Sequence, residues 1–273
     1  MNSRIQQVTS RDGTSIAFER IGEGPPVILV MGAFNDRSTG ASLAAALSPR
    51  LTAYTYDRRG RGDSGETLPY AVEREVEDLH ALIDEAGGSA AVFGYSSGAV
   101  LALRAASQGL PITRLILHEL PLMVDQGQPR WSADHQVRLR ELVATGRRGD
   151  AVEYFQSHLV GIPDEVVAQL RRAPFRPALE SMAHTLVYEA AILGDGLLPR
   201  ELAGAIPTPV LAIVGAATTP FMIETAHVLA EAAPAGRSAV LEGQGHDIDP
   251  EAVGPVIEEF LGVPTQTTGR PNR

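Results

Sequence analysis

Short apolar runs alternate with helix-forming segments along most of this chain. The runs have the length and composition of buried parallel strands and cover residues 27–31, 52–56, 90–93, 112–117, 209–214 and 238–241. Helices are predicted at 38–47, 70–86 and 99–106, and a turn at Asp12-Gly13 joins two expected antiparallel strands, 3–9 and 14–21. This alternation predicts the α/β class, a mostly parallel sheet covered by helices on both faces.

Residues 121–205 interrupt the alternation. They are helical in character, contain no clear strand and are punctuated by Pro163, Pro174, Pro177 and Pro199. We expect them to form a helical cap at the carboxyl edge of the sheet, where ligands of open α/β sheets bind. The predicted organisation is a core of residues 1–120 and 206–263, a cap of 121–205 and a disordered tail of 264–273. The large cap side chains are Trp131, Tyr154, Phe155, Phe175, Met182 and Tyr188, of which Trp131, Phe175 and Tyr188 are the predicted substrate contacts.

One strand-to-helix junction carries a candidate nucleophile. Residues Gly94-Tyr95-Ser96-Ser97-Gly98 lie between the apolar run 90–93 and the helix formers of 99–106. The glycines leave room for a tight, strained turn that raises the Ser96 hydroxyl above the sheet. The turn also aims N–H groups of the helix start at developing negative charge. The alternative is a turn of small residues that only packs the helix on the sheet.

The amino-acid composition excludes several kinds of partner and reaction. The 273 residues are 44% hydrophobic and carry a formal net charge of −10, which argues against nucleic acid and anionic membranes as partners. The chain has no lysine and no cysteine, which excludes Schiff-base chemistry, a thiol nucleophile, disulfides and thiolate metal sites. No segment has the pattern of a signal peptide or a membrane span. We therefore expect a cytoplasmic protein that acts on a small molecule without a metal or organic cofactor, and we leave a homodimer open.

The order of these parts resembles the α/β-hydrolase family over residues 14–262. The parts are the strand ending at Gly32, the loop 57–65, the serine turn, the inserted helices and a late histidine. A serine hydroxyl at its free pKa is a weak nucleophile and needs a base. The resemblance implies that this base is His246, in the glycine-rich loop after the last strand. Five other histidines lie in predicted helices (His80, His135, His158, His184 and His227), and His118 lies at a strand end.

The acid partner of His246 departs from the family pattern. Most relatives carry an aspartate shortly after the strand at 209–214, whereas residues 215–220 contain no carboxylate here. A second position in this fold follows the strand after the nucleophile helix, and the chain carries Glu119 there. We predict that Glu119 orients His246. The alternatives are a solvated glutamate at a strand end and, as other acids, Asp125, Asp247 and Asp249, the last of which fits a helix N-cap before Pro250 better.

Two backbone N–H groups are expected to stabilise an oxyanion. One belongs to Ser97, the residue after the nucleophile. The other comes from the loop 31–35 after the first parallel strand, with Ala33 as the first choice and Phe34 as the second. Relatives place His-Gly-X here, and Met31-Gly32-Ala33 fits that pattern with the histidine replaced.

Three short segments, 96–99, 118–121 and 214–220, resemble those of the zearalenone lactonases. That group hydrolyses the ester of a fungal macrolactone with a Ser–Glu–His triad, which implies Ser96, Glu119 and His246 here. The resulting hypothesis is a serine hydrolase of carboxylic esters or lactones that works through an acyl-enzyme. Two alternatives stay open: a cofactor-free perhydrolase or haloperoxidase with the same triad, and a non-catalytic binding protein on this fold.

Overall fold

The sheet predicted from the apolar runs is present in the computed structural model, which describes residues 4–124 and 132–263. The strands follow the spatial order β1-β2-β4-β3-β5-β6-β7-β8. Their bounds are β1 Gln6–Thr9, β2 Ser15–Ile21, β3 Pro26–Val30, β4 Thr52–Tyr56, β5 Ala90–Tyr95, β6 Ile112–His118, β7 Val210–Gly215 and β8 Gly236–Leu241. The β1–β2 and β2–β4 pairs are antiparallel, and all pairs from β4–β3 onward are parallel. The predicted α/β class is confirmed.

Helices cover both faces of this sheet. The α-helices of the described residues are α1 Ala41–Leu47, α2 Val72–Glu85, α3 Ser97–Ser107, α4 Ala133–Ala144, α5 Arg148–Tyr154, α6 Asp164–Leu170, α7 Arg176–Ser181, α8 Leu186–Leu193, α9 Arg200–Gly204, α10 Pro220–Ala232 and α11 Pro250–Leu261. Alternate residues of β3 serve two cores: Ile28 and Val30 face the side of α2 and α3, and Val27 and Leu29 the side of α1 and α11. Burial on both faces explains why the strand is continuously apolar.

Helices α4 to α9 lie between β6 and β7 along the chain, as the helical character of this segment predicts. A backbone bridge joins Met123 to Leu197, and α8 packs against α2 and α3. The cap limits 121–205 stay a prediction, and the tail 264–273 lies outside the described residues. Within the part of the chain that the structure describes, no helix combines the length and apolarity needed to cross a membrane.

Candidate active site

Ser96 lies between β5 and α3 in a strained backbone conformation with positive φ, at φ 54° and ψ −125°. A Cβ atom on Gly94 would approach the Cα of Ala99 to 2.6 Å, and one on Gly98 would approach the carbonyl oxygen of Val30 to 2.2 Å. Only glycine therefore fits at these two positions, where helix α3 packs tightly against the strands. The predicted tight turn is confirmed.

The segment after β3 lies directly beside this turn. A Cβ atom on Gly32 would be 3.0 Å from the Cβ of Ser96 and 3.4 Å from the backbone nitrogen of Ser97. Among the described residues, neither Ala33 nor Phe34 donates its N–H to another backbone group. The N–H of Ser97 lies in the first turn of α3, where N–H groups have no acceptor within the helix. The residues that carry the three candidate oxyanion donors, Ala33, Phe34 and Ser97, line one cavity together with Ser96.

Glu119 follows the end of β6 and is completely buried. Its Oε2 atom lies 3.1 Å from Nδ1 of His246. Burial raises the pKa of the Glu119 carboxyl, but hydrogen bonds from His246, the Gly215 N–H and Thr218 outweigh burial and hold the pKa below its usual range. The side chain is therefore a buried carboxylate, and the alternative of a solvated glutamate is wrong.

The segment that lacks the expected aspartate supplies donors to Glu119 instead. The Gly215 N–H donates to Oε1 at 2.7 Å, and the Thr218 hydroxyl donates to Oε2 at 2.6 Å. The Asp249 side chain accepts the N–H of Glu251 at the start of α11, so its predicted role as an N-cap is confirmed. Asp247 is exposed, and Asp125 lies outside the described residues.

His246 and Ser96 line one cavity of about 260 Å³. The His246 ring packs against Tyr95, with ring centroids 5.3 Å apart. Because Nδ1 faces Glu119, Nε2 is the nitrogen left for a group in the cavity. The site thus combines a hydroxyl, an imidazole and a buried carboxylate, the three kinds of group that serine nucleophilic catalysis uses.

The cavity wall is mostly apolar. The π-helical segment Phe155–Val160 contributes Phe155, Leu159 and Val160, and α10 contributes Phe221 and Met222. Polar lining side chains include Asn35 and Gln156, and apart from His246 and Tyr95 the described lining residues carry no ionisable side chain. Among the described residues, no group of three or more His, Asp or Glu side chains could hold a metal ion.

Two of the substrate contacts predicted from the cap, Phe175 and Tyr188, do not line this cavity. Phe175 is 51% exposed and is absent from the wall. Tyr188 stacks on Tyr70 and donates its hydroxyl to Glu66, also away from the cavity. Trp131 lies outside the described residues. Sequence reasoning named Phe155 only as one of several large cap side chains, and no local signal marked its neighbours in the π-helical turn.

Backbone strain is concentrated at this site. Among the described residues, the non-glycine residues with positive φ are Phe34, Ser96 and Glu119, at 60°, 54° and 55°. Each such conformation costs on the order of 1–3 kcal/mol and persists only where the surrounding structure holds it. The strain therefore lies in the residues that carry a candidate oxyanion donor, nucleophile and acid.

His118 supports the same site from within the core. Its ring lies 6.0 Å from that of Phe93 and 5.7 Å from that of Tyr95, centroid to centroid. It is fully buried, and neither ring nitrogen has a hydrogen-bond partner among the described residues. Burial lowers the pKa of His118 to about 4, although the Glu119 charge opposes this. His118 is thus a neutral core residue at neutral pH.

This buried neutral histidine predicts a pH dependence of stability. Between its ordinary pKa of 6.5 and about 4, the unfolded chain binds a proton at His118 that the folded chain does not. The free energy of unfolding should therefore fall as pH drops through this window, by on the order of 3 kcal/mol from this group alone. Urea unfolding from pH 7.5 to 4 should show a weaker dependence in His118→Leu than in wild type. The exposed control His80→Gln should follow wild type, and equal slopes for His118→Leu and wild type would contradict the assignment.

Comparison with known proteins identifies the family. A family model described as "Alpha/beta hydrolase family" matches residues 27–256. The crystal structure of an alpha/beta hydrolase from Sphaerobacter thermophilus DSM 20745 is 52% identical, covers 94% of this chain and 100% of that chain, and has a TM-score of 0.88. This chain therefore belongs to the alpha/beta hydrolase family.

Two curated relatives match over shorter segments. The uncharacterized hydrolase YraK from Bacillus subtilis is 37% identical over 95 residues, which are 33% of this chain and 35% of YraK. N-formylmaleamate deformylase from Pseudomonas putida is 36% identical over 105 residues, which are 37% of this chain and 39% of the deformylase. The matches span less than half of each relative, so they are similar to this chain in part only.

Proposed function

We propose that this alpha/beta hydrolase is a serine hydrolase that cleaves carboxylic esters or lactones. The observation that carries the proposal is the buried Glu119 carboxylate bound to Nδ1 of His246, beside a cavity that His246 shares with Ser96. A carboxylate at Nδ1 keeps the proton on that nitrogen, so that Nε2 is unprotonated and accepts the proton of the Ser96 hydroxyl.

The proposed reaction has two acyl-transfer steps. His246 takes the Ser96 proton while the Ser96 oxygen attacks the carbonyl carbon. The resulting oxyanion accepts hydrogen bonds from the backbone N–H of Ser97 and from that of Ala33 or Phe34. Collapse of the tetrahedral intermediate breaks the ester bond, and His246 protonates the leaving alkoxide. His246 then deprotonates a water that attacks the acyl-enzyme, and the acid leaves as Ser96 recovers its proton. Glu119 stabilises the imidazolium in both steps.

The cavity wall supports a neutral and largely apolar substrate. Apart from His246, no described side chain in the wall offers a charge to a carboxylate on the substrate. Burying such a carboxylate without a partner costs several kcal/mol. Within this class, the segments 96–99, 118–121 and 214–220 favour a zearalenone-type macrolactone as the specific substrate.

A matched pair of esters and one lactone test this function. We expect turnover of p-nitrophenyl hexanoate, and kcat/KM for mono-p-nitrophenyl adipate lower by about 10-fold or more, since only the adipate carries a terminal carboxylate. Zearalenone cleavage, followed by chromatography, should accompany ester turnover. Ester turnover without lactone cleavage would contradict only the lactone assignment. Oxidation that depends on peroxide and Ser96 in acetate buffer, without ester turnover, would favour the perhydrolase alternative, and no Ser96-dependent activity at all would contradict the proposal.

A further inference from the structure

Four buried charged side chains join the loop after β4 to α2 and to the inserted helix α8. This arginine–glutamate cluster consists of Arg58, Arg61, Glu75 and Glu189, each at most 2% exposed. Arg58 donates to Glu75 at 2.6 and 2.8 Å and to Oε1 of Glu189 at 2.9 Å. Arg61 donates to the same oxygen of Glu189. Two positive and two negative charges thus balance inside the protein.

The two arginines also hold the segment that carries the candidate oxyanion donors. Arg61 Nη1 donates to the carbonyl oxygens of Gly32 at 2.6 Å and of Asn35 at 3.1 Å. Arg58 Nη1 donates to the carbonyl oxygen of Met31 at 3.3 Å. The side chain of Asn35 donates to the carbonyl oxygen of Ala33 at 2.8 Å.

Peptide geometry turns these contacts into a statement about N–H direction. The C=O of one residue and the N–H of the next belong to one planar trans peptide and point in opposite directions. A guanidinium that holds the Gly32 carbonyl therefore directs the Ala33 N–H away from Arg61. Asn35 has the same effect on the Phe34 N–H through the Ala33 carbonyl. Because Gly32 lies against Ser96, the direction of these N–H groups decides whether an oxyanion on the attacked carbonyl is stabilised.

We propose that Arg61, anchored by Glu189 of α8, is a positioning residue that orients the Ala33 N–H for the oxyanion. The inference rests on the proposed serine hydrolase function. Replacing a buried ion pair by apolar residues is often neutral for stability, so stability alone is a weak reason for a protein to keep such a pair. Here the pair lets one planar fork hold two carbonyl oxygens and one carboxylate, which an apolar side chain cannot do. The inserted helices would then set the oxyanion geometry as well as the cavity wall.

The same loop offers a matched control. Arg59 is 1% exposed and pairs with Asp78 at 2.6 and 2.7 Å and with Asp12 at 2.9 Å. Among the described residues, Arg59 has no hydrogen bond to the segment 31–35. Substitutions of this pair therefore disturb a buried arginine–carboxylate contact of the same loop without touching the oxyanion segment.

The test compares Glu189→Gln and Arg61→Lys with the controls Asp78→Asn and Arg59→Lys. For the first two, we expect kcat for p-nitrophenyl hexanoate to fall by about 10- to 100-fold and KM to change by less than about threefold. Inhibition by hexylboronic acid, which forms a tetrahedral anion on the serine, should weaken by a similar factor. The controls should lower Tm while kcat and boronate inhibition stay within about threefold of wild type.

Different results would overturn the positioning role of Arg61 and the proposed function. Folded Glu189→Gln and Arg61→Lys with wild-type kcat and boronate inhibition would overturn the proposal, whatever their Tm. If either variant fails to fold, Glu189→Asp replaces it, because aspartate keeps the charge but is shorter by one methylene. The same two measurements, kcat and boronate inhibition, then decide. Wild-type protein without Ser96-dependent turnover would overturn the proposed function itself, and that result is known before any cluster variant is made.

Discussion

Alanine in place of Ser96 is expected to lower kcat for p-nitrophenyl hexanoate by on the order of 10⁵-fold. The substitution removes the oxygen that forms the acyl-enzyme, while the backbone N–H groups of the site remain. The measurements are steady-state kinetics and mass spectrometry of protein quenched during turnover. Wild type should show a covalent acyl adduct on the peptide that contains Ser96, and the variant should show none.

The control for this experiment lies on the same helix. Ser107 ends α3, and its hydroxyl donates to the carbonyl oxygen of Arg104. Ser107→Ala makes the same chemical change far along α3 from the cavity, and its kcat should stay within about threefold of wild type. An acyl adduct on another residue, or full activity of Ser96→Ala, would contradict Ser96 as the nucleophile.

Glutamine in place of Glu119 is the second large effect, with kcat expected to fall by about 10³- to 10⁴-fold. The Gly215 N–H can only donate, so the glutamine carbonyl oxygen must take the position of Oε1. The glutamine NH₂ group then faces Nδ1 of His246, where Oε2 lay. Nδ1 must accept, so the imidazole proton moves to Nε2, and the base can no longer take the proton of Ser96.

This effect is separable from general damage to the core. Glu258 of α11 is 5% exposed and pairs with Arg50, away from the cavity. Glu258→Gln should therefore change Tm and leave kcat within about threefold of wild type. In Glu119→Gln, the presence or absence of an NMR resonance from a proton on His246 Nδ1 reports whether the tautomer has changed. Wild-type kcat with the proton still on Nδ1 would contradict the role of Glu119.

Much of the fold could be read from local patterns. A strand buried on both faces must be apolar at nearly every position, and the runs at 27–31 and 90–93 coincide with β3 and β5 to within two residues at each end. The turn at Ser96 could be predicted because a side chain at either flanking glycine would clash with nearby backbone atoms. Glu119 could be singled out because the family's fold offers a second acid position after the strand that follows the nucleophile helix, and the usual aspartate was missing from residues 215–220.

The sequence by itself therefore determined the fold class, the serine turn and a short set of candidate site residues, since strand burial and turn sterics act between neighbours along the chain. Only the tertiary structure decided which side chains form the cavity wall and what holds the oxyanion segment. The wall comes from a π-helical turn and α10 rather than from Phe175 or Tyr188. Arg61 meets Glu189 across 128 positions of sequence. Contacts of this kind depend on how separate helices pack, and neither segment alone shows which partner it will meet.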